Sequence, residues 1–384
     1  MESNEDFKNL IIPKIKEATR TLTSNNHSRV ILSDFSLIKF KKTGNYYSFY
    51  NKIYANKYLE YFNDEENTDF LIFENNEVYI DYNENLFTFH KVDEQEKILE
   101  IDLDNQEIKD PNKINEEELE NEIYSKTDLI TLCYFPLCLS HCNITLCYEQ
   151  DLPQVLSSEL ILQFLNIYQI IKNPSLICGY DSLGGGCEIN HLHFEFLMLD
   201  DFNNEISNLP IENFDNKLLF ETQLKHKNQD EISMFDGTTL IKVYLINFPF
   251  FSWKIECILG QEKAEMEIST IDNLYQNSIA HITNLILSKL IDKGIAHNLI
   301  LTKQGTIFYL VPRKFKKKEH KFNTCWNDLS GLITCKEEND YDNISEEEIN
   351  KFFKDEVSLD ENIFNELNDI IIKLVDSVYE IKRY

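Results

Sequence analysis

The stretch Gly179–Leu199, GYDSLGGGCEINHLHFEFLML, decides how this chain is read. It holds four of the ten glycines, Gly179, Gly184, Gly185 and Gly186, just ahead of two histidines one residue apart. Glycine has no Cβ, so it admits positive φ and lets a ligand approach backbone N–H groups that can point at an anion. Behind the loop, His191, His193 and Glu195 alternate with Leu192, Phe194 and Phe196. In an extended strand that period of two puts the polar side chains on one face and the apolar ones on the other. The pattern predicts a strand that presents a nucleophile beside a phosphate-sized loop.

Composition sets the frame. With 384 residues, 42% hydrophobic and 12% aromatic, the chain has enough apolar surface for one large core or two smaller ones. No apolar run approaches the roughly 18 residues of a membrane span, and MESNEDFKNL does not read as a signal peptide, so a cytoplasmic protein is expected. Lys and Arg number 37 against 66 Asp and Glu, a net charge of −29 that disfavours a nucleic-acid or acidic-membrane surface. Nine cysteines, an odd number, read as reduced thiols. Cys133, Cys138, Cys142 and Cys147 surround His141, but without the close Cys-x-x-Cys pair of a zinc knuckle, so no metal is expected.

The element order reads as α+β. Strands are predicted at Phe70–Phe73, Val78–Asp81, Leu86–Lys91 and Ile98–Leu103 as an antiparallel meander, with the Tyr-rich segment before them read as packing. Strands at Leu129–Tyr134 and Asn143–Tyr148 then lead to a helix at Ser157–Ile171, the glycine loop and the histidine strand. Leu240–Arg313 repeats the plan, with strands at Leu240–Phe248 and Ser252–Leu259, a helix at Ile271–Lys293, and a hairpin of Asn298–Leu301 and Thr306–Val311 turning at Lys303–Gly305. That repetition suggests an internal duplication. A helix around Leu359–Lys382 closes the chain. The organisation expected is 1–80 as an extension and start of the sheet, 81–200 as the first half, 201–239 as a connection, 240–315 as the second half and 316–384 as a closing loop and helix.

These residues resemble the GDP-hexose phosphorylases, a branch of the histidine-triad superfamily similar to galactose-1-phosphate uridylyltransferase. The loop and Asn190-His191-Leu192-His193 carry the likeness most specifically, and Tyr82–Val92, His297–Lys314 and Cys325–Tyr341 extend it. The resemblance implies duplicated histidine-triad-like halves, each an antiparallel sheet flanked by helices. It also implies conversion of GDP-hexose and phosphate to hexose 1-phosphate and GDP, without a cofactor. His193 would attack the α-phosphorus, its other ring nitrogen donating to a backbone carbonyl, and His191 would order the strand. Ser182, Gly184, Gly185, Gly186 and Asn190 would bind phosphate or nucleotide, with Arg313 brought in from the second half. Phe87, Phe89 and Lys91 are the candidates for the base. Related enzymes often pair through their sheets, which leaves a homodimer open.

Two positions depart from the family pattern. Asp181 stands where the family has Asn, and Glu195 where it has Gln or His. A carboxylate about 4 Å from a phosphate oxygen costs up to about 4 kcal/mol at an effective dielectric near 20 unless it is paired or protonated. Three outcomes stay open from the residues alone. Arg313 and the lysines at 314 and 316–318 pair the carboxylates; burial raises the Glu195 pKa until it donates a hydrogen bond; or an ionised Glu195 acts as base for water in a nucleotide-sugar or dinucleoside-polyphosphate hydrolase. A non-catalytic nucleotide-binding descendant is the remaining alternative. His90, His141, His297 and His320 read as structural, and His27, His226 and His281 carry no motif. For Trp326 a packed core position predicts the same sequence as a pocket wall.

Overall fold

The computed structural model describes residues 38–51, 71–74, 77–80, 97–102, 107–109, 127–133 and 137–384, together with 13 and 16, apart from 151, 172, 188–189, 203–204, 228–238, 248, 260–267, 316–321 and 323. Phe87, Phe89, Lys91, His27, His90, the lysines at 316–318 and His320 lie outside the described residues.

The strands are β1 (Ile38–Thr43), β2 (Tyr46–Asn51), β3 (Leu71–Glu74), β4 (Glu77–Ile80), β5 (Lys97–Asp102), β6 (Glu107–Lys109), β7 (Thr127–Leu132), β8 (Cys142–Thr145), β9 (Leu176–Asp181), β10 (His193–Met198), β11 (Asn216–His226), β12 (Thr239–Ile246), β13 (Ser252–Leu259), β14 (His297–Thr302), β15 (Ile307–Pro312), β16 (Leu332–Cys335) and β17 (Tyr379–Arg383). Four helices frame the sheet around the histidine strand: α1 (Ser158–Ile171), α2 (Ile268–Asp292), α3 (Trp326–Ser330) and α4 (Glu361–Val378). Twelve strands form one sheet in the order β17-β11-β12-β13-β15-β14-β9-β10-β8-β7-β5-β6. All its pairings are antiparallel.

The repeated plan is visible in this order. β7, β8, α1, β9 and β10 on one side, and β12, β13, α2, β14 and β15 on the other, share the same succession and meet where β9 pairs with β14. The α+β class with antiparallel sheets and flanking helices is therefore what the chain adopts. The expected meander is corrected: β3 and β4 make a separate two-stranded sheet, while β5 joins the large sheet through β7. β1, β2 and β11 were not foreseen. Part of the Tyr-rich segment forms β2, which pairs with β1 and, in parallel, with the distant β16. The closing helix ends at Val378, and the chain continues as edge strand β17 against β11.

Alternation along the strands builds two cores. Phe194, Phe196, Tyr180, Leu299, Leu301, Phe308 and Leu310 face α1, α2 and α4, whereas Leu197, Ile300, Tyr309 and Val311 face the opposite side, covered by α3 and the β1-β2-β16 sheet. α1 buries Ile161, Phe164, Leu165, Tyr168 and Ile171, a single stripe at helical spacing. Phe164 lies flat on Phe194 at a centroid distance of 3.8 Å, which fixes the histidine strand against the helix layer. His193 and Glu195 thereby emerge on the face without the long helices.

Candidate active site

β10 carries out the alternation read from its sequence. Leu192, Phe194 and Phe196 are buried, while His193 and Glu195 are half-buried on the other face. His193 Nδ1 lies 2.8 Å from the carbonyl oxygen of His191. A carbonyl can only accept, so Nδ1 carries the proton and Nε2 keeps its lone pair. His191 is itself buried, with its ring beside Tyr148 at 6.0 Å. β15 (Ile307–Pro312) has no histidine, so the duplicated plan holds one nucleophile strand rather than two.

The glycine loop is bound from inside. Ser182 is fully buried: its Oγ accepts from His297 N–H at 2.8 Å and donates to the Leu183 carbonyl at 3.2 Å. Its carbonyl takes the Gly185 N–H at 2.9 Å. The Gly185 carbonyl accepts from Asn298 Nδ2 at 2.8 Å and from Arg313 Nη1 at 2.9 Å. In a planar trans peptide the next N–H, that of Gly186, then points the opposite way. Gly184 and Gly186 have φ of 71° and 137°, conformations that L side chains avoid.

Arg313 therefore reaches the loop from behind. Besides Gly185 it bonds Thr324 through its carbonyl and, at 3.0 Å, through Oγ1. Burial draws its pKa down to about 10, a shift that the nearby Asp181 opposes. The reading that Arg313 pairs the two carboxylates is corrected for Glu195 and narrowed for Asp181, whose charge it feels, since its guanidinium donates to the Gly185, Thr324 and Lys314 carbonyls and to the Thr324 hydroxyl. Asp181 is used in packing: its Oδ1 accepts from Asn298 Nδ2 and from Trp326 N–H at the start of α3, the latter at 2.8 Å. Asn190 Oδ1 accepts the backbone N–H of Gln154 at 2.9 Å.

Glu195 is held by two donors that the sequence did not assign to it. Trp326 Nε1–H donates to Oε2 at 2.7 Å, and His141 Nε2 lies 3.3 Å from the same oxygen. Burial alone would push this carboxyl up, but the His141 hydrogen bond, the imidazoles of His141 and His193 beside it, and the Trp326 hydrogen bond hold it at about 2. Of the three outcomes left open for Glu195, these two donors favour an ionised carboxylate over one that burial keeps protonated. Trp326 is fully buried and crosses Gly179, where an added Cβ would come within 1.8 Å of the indole. Gly179 is the cross-strand partner of Glu195, so the one residue without a side chain lets the indole lie across the sheet and reach the carboxylate.

Cys133 Sγ, His141 Nε2 and a Glu195 oxygen lie within 4.8 Å of one another, the one such group among the described residues. The tautomer of His141 argues against a metal there. His141 Nδ1 accepts the Leu137 N–H at 3.1 Å, so Nε2 bears the proton. A ligating imidazole needs the reverse, with the far nitrogen donating. Cys138 is not poised either, as burial first and then Asp201 push its thiol up to about 12.

His297, at the junction of the halves, is enclosed, and burial lowers its pKa to about 4 against a smaller opposing effect of its hydrogen bond to Ile295. Unfolded, the ring takes a proton near 6.5; folded, it resists until about 4. The stability this contributes is complete above pH 6.5 and is lost as pH falls toward 4, by up to about 1.4 kcal/mol per pH unit and roughly 3 kcal/mol in total. Urea midpoints at pH 7 and pH 4.5 should show this slope for the wild type and a flatter one for His297→Leu.

Models of the "GDPGP1-like, N-terminal domain" and the "GDPGP1-like, C-terminal domain" match residues 55–197 and 224–378. The chain is 25% identical over 244 residues to GDP-D-glucose phosphorylase 1 of Danio rerio, covering 62% of this chain and 64% of that protein. It is 24% identical over 235 residues to GDP-L-galactose phosphorylase 2 of Arabidopsis thaliana, covering 58% and 46%. The matches thus span less than two thirds of either relative. Among solved structures, yeast Ap4A phosphorylase Apa2 in complex with Ap4A aligns over 89% of this chain and 95% of its own, with 14% identity and a TM-score of 0.45. No helix among the described residues is long and apolar enough to cross a membrane.

Proposed function

Because the chain belongs to the GDPGP1-like family, whose two domain models together match most of its length, we propose that it is a GDP-hexose phosphorylase working through a nucleotidylated His193. The observation that carries this reading is the half-buried His193 ring, whose Nδ1 proton is given to the His191 carbonyl, which leaves the lone pair on Nε2. Nε2 attacks the α-phosphorus, the bond to the bridging oxygen breaks, and hexose 1-phosphate leaves. The imidazolium that results keeps its Nδ1 proton on the carbonyl, with the Glu195 carboxylate nearby to offset the charge. A phosphate oxygen then attacks the same phosphorus, the P–N bond breaks, and GDP departs.

The loop amides, among them the Gly186 N–H that opposes the clamped Gly185 carbonyl, would meet the phosphoryl oxygens as their charge grows. Ser182, Asn298 and Arg313 act one step removed, by fixing the peptide planes of the loop. Asn190, which directly precedes the histidine pair, holds the Gln154 backbone through its Oδ1. The two relatives named for GDP-D-glucose and GDP-L-galactose support a guanine nucleotide sugar as donor.

The test is intact-protein mass spectrometry with GDP-, UDP- and ADP-hexoses, without and then with phosphate. A guanylyl adduct mapping to the His193 peptide and discharged by phosphate as GDP is expected. No adduct and no turnover with any donor would overturn the reading.

The low pKa of Glu195 speaks against the hydrolase alternative, because a carboxylate with a pKa near 2 is a weak base at neutral pH. Glu195→Gln keeps an oxygen for His141 and Trp326 and removes only the charge. It should leave the ratio of phosphorolysis to hydrolysis unchanged and lower KM for the anionic donor by roughly fivefold, about 1 kcal/mol of relieved repulsion. A collapse of residual hydrolysis alone would revive the base role.

A further inference from the structure

The β9–β10 ladder stops short of the nucleophile. Its pairs run from Met198↔Leu176 to Glu195↔Gly179, and the same register continued two residues further would set His193 opposite Asp181. A side-chain amide occupies that place. Gln154 Oε1 accepts the His193 N–H at 2.9 Å, while Gln154 Nε2 donates to the His193 carbonyl at 3.1 Å and to the Asp181 carbonyl at 2.9 Å.

We propose that Gln154 is a positioning residue for the reaction at His193, its amide serving as an inserted rung that lets β9 and β10 diverge around the glycine loop while the nucleophile stays fixed. The proposal rests on the nucleotidyl-His193 reading. Gln154 is fully buried, and its own backbone is tied on both sides. Its N–H donates to Asn190 Oδ1 at 2.9 Å and its carbonyl accepts Tyr180 Oη–H at 2.6 Å. Nearby, the Leu192 N–H donates to the Leu152 carbonyl at 2.8 Å. One residue thus joins the end of β9, the end of the loop and the start of β10.

The chemical need is specific. In an antiparallel sheet the N–H and C=O of one residue point to the same side, so His193 requires one acceptor and one donor there. A Gln amide supplies both and has a second N–H for Asp181. Direct pairing of the strands at this point would bring Asp181 against His193 and leave no room for the Gln154 amide at the base of the loop. Leaving the groups unpaired would free the strand end and, with it, the ring orientation set by the His191 carbonyl. Misplacement of a nucleophile by about 1 Å can lower a rate on the order of 100-fold.

The experiment compares full-length wild type, Gln154→Ala and Gln154→Glu, each checked for folding by circular dichroism. Without any donor, ¹⁵N-resolved imidazole spectra should show His193 as a single Nδ1–H tautomer in wild type and as mixed or exchanging forms in Gln154→Ala. With GDP-hexose, single-turnover nucleotidylation should slow about 100-fold in Gln154→Ala with KM changed less than about threefold. Gln154→Glu should recover relative to wild type as pH falls from about 8 to about 6, because only the protonated acid has both an acceptor and an O–H donor.

A merely structural side chain would not produce that pH-dependent rescue. If a folded variant nucleotidylates at the wild-type rate at every pH, with unchanged imidazole signals, the positioning role is wrong. Should Gln154→Ala not fold, the pH profile of Gln154→Glu decides. Should wild type form no adduct with any donor, the failure belongs to the nucleotidyl-histidine reading, and the donor-free spectra alone decide whether Gln154 fixes the ring.

Discussion

His193→Ala is expected to lower phosphorolysis by at least about 10⁴-fold while leaving the unfolding midpoint close to that of the wild type. The ring is half-buried, and the contact that orients it is the Nδ1 hydrogen bond to the His191 carbonyl, so its removal costs little packing. What vanishes is the atom placed to accept the nucleotidyl group. Any remaining turnover would have to come from direct attack of phosphate on the donor, aided by the loop alone. Rapid-quench kinetics with labelled GDP-hexose separates the two cases: the variant should show no covalent label at any time. Retained activity within tenfold of wild type would remove His193 from the mechanism.

The second large effect is on stability and comes from Gly179→Ala. A Cβ there would sit 1.8 Å from Trp326 Cδ2 and 2.0 Å from Cγ, and the fully buried indole has no free direction in which to move. The cost expected is about 3 kcal/mol, read as a lower urea midpoint at unchanged m-value. Trp326→Ala alone should cost about 3–5 kcal/mol through the cavity it leaves. Combined, the two should cost clearly less than their sum, because the clash is absent once the indole is gone. Strict additivity would mean that the two residues do not compete for the same space. Gly179→Ala should also displace the indole N–H from Glu195, so activity should fall further than the loss of folded protein explains.

Much of this site was legible in the chain. The alternation from Leu192 to Phe196 announced which side chains would be buried, because in a strand facing direction is set by sequence spacing, whereas His191, read onto the same face as His193, precedes the strand and is buried. α1 was placed to within one residue, since its apolar stripe and its start at Ser157 and Ser158 are both local signals. The edge strand β17 was read as helix because apolar residues continue at helical spacing past Val378. What ends the helix is pairing with β11, a partner distant in the chain. For the same reason the pairing of β2 with β16 had no local trace.

The side chains that support the nucleophile were hidden for a different reason. Gln154 comes after a proline in an ordinary loop, and nothing in its neighbours signals that its amide will meet the His193 backbone. His141 was read as structural, yet its Nε2 faces Glu195 across the sheet. Ser182 and Arg313 were named from the sequence as phosphate-binding, but a pattern of residue types does not say whether a polar group faces a ligand or a carbonyl of its own loop. Direction of that kind is set by the packing of the two halves.

The hold of Asn298 and Arg313 on the Gly185 carbonyl has a consequence for how the protein comes to life during synthesis. The nucleophile and its loop leave the ribosome well before β14 and β15, the elements that clamp the loop from behind. Until those later strands have emerged and docked along β9, the nascent chain carries every reacting atom of the proposed chemistry but has no formed cradle for the phosphate. A chain released before Arg313 would therefore be inert despite its intact histidine strand, so the proposed chemistry waits until β14, β15 and Arg313 have been made.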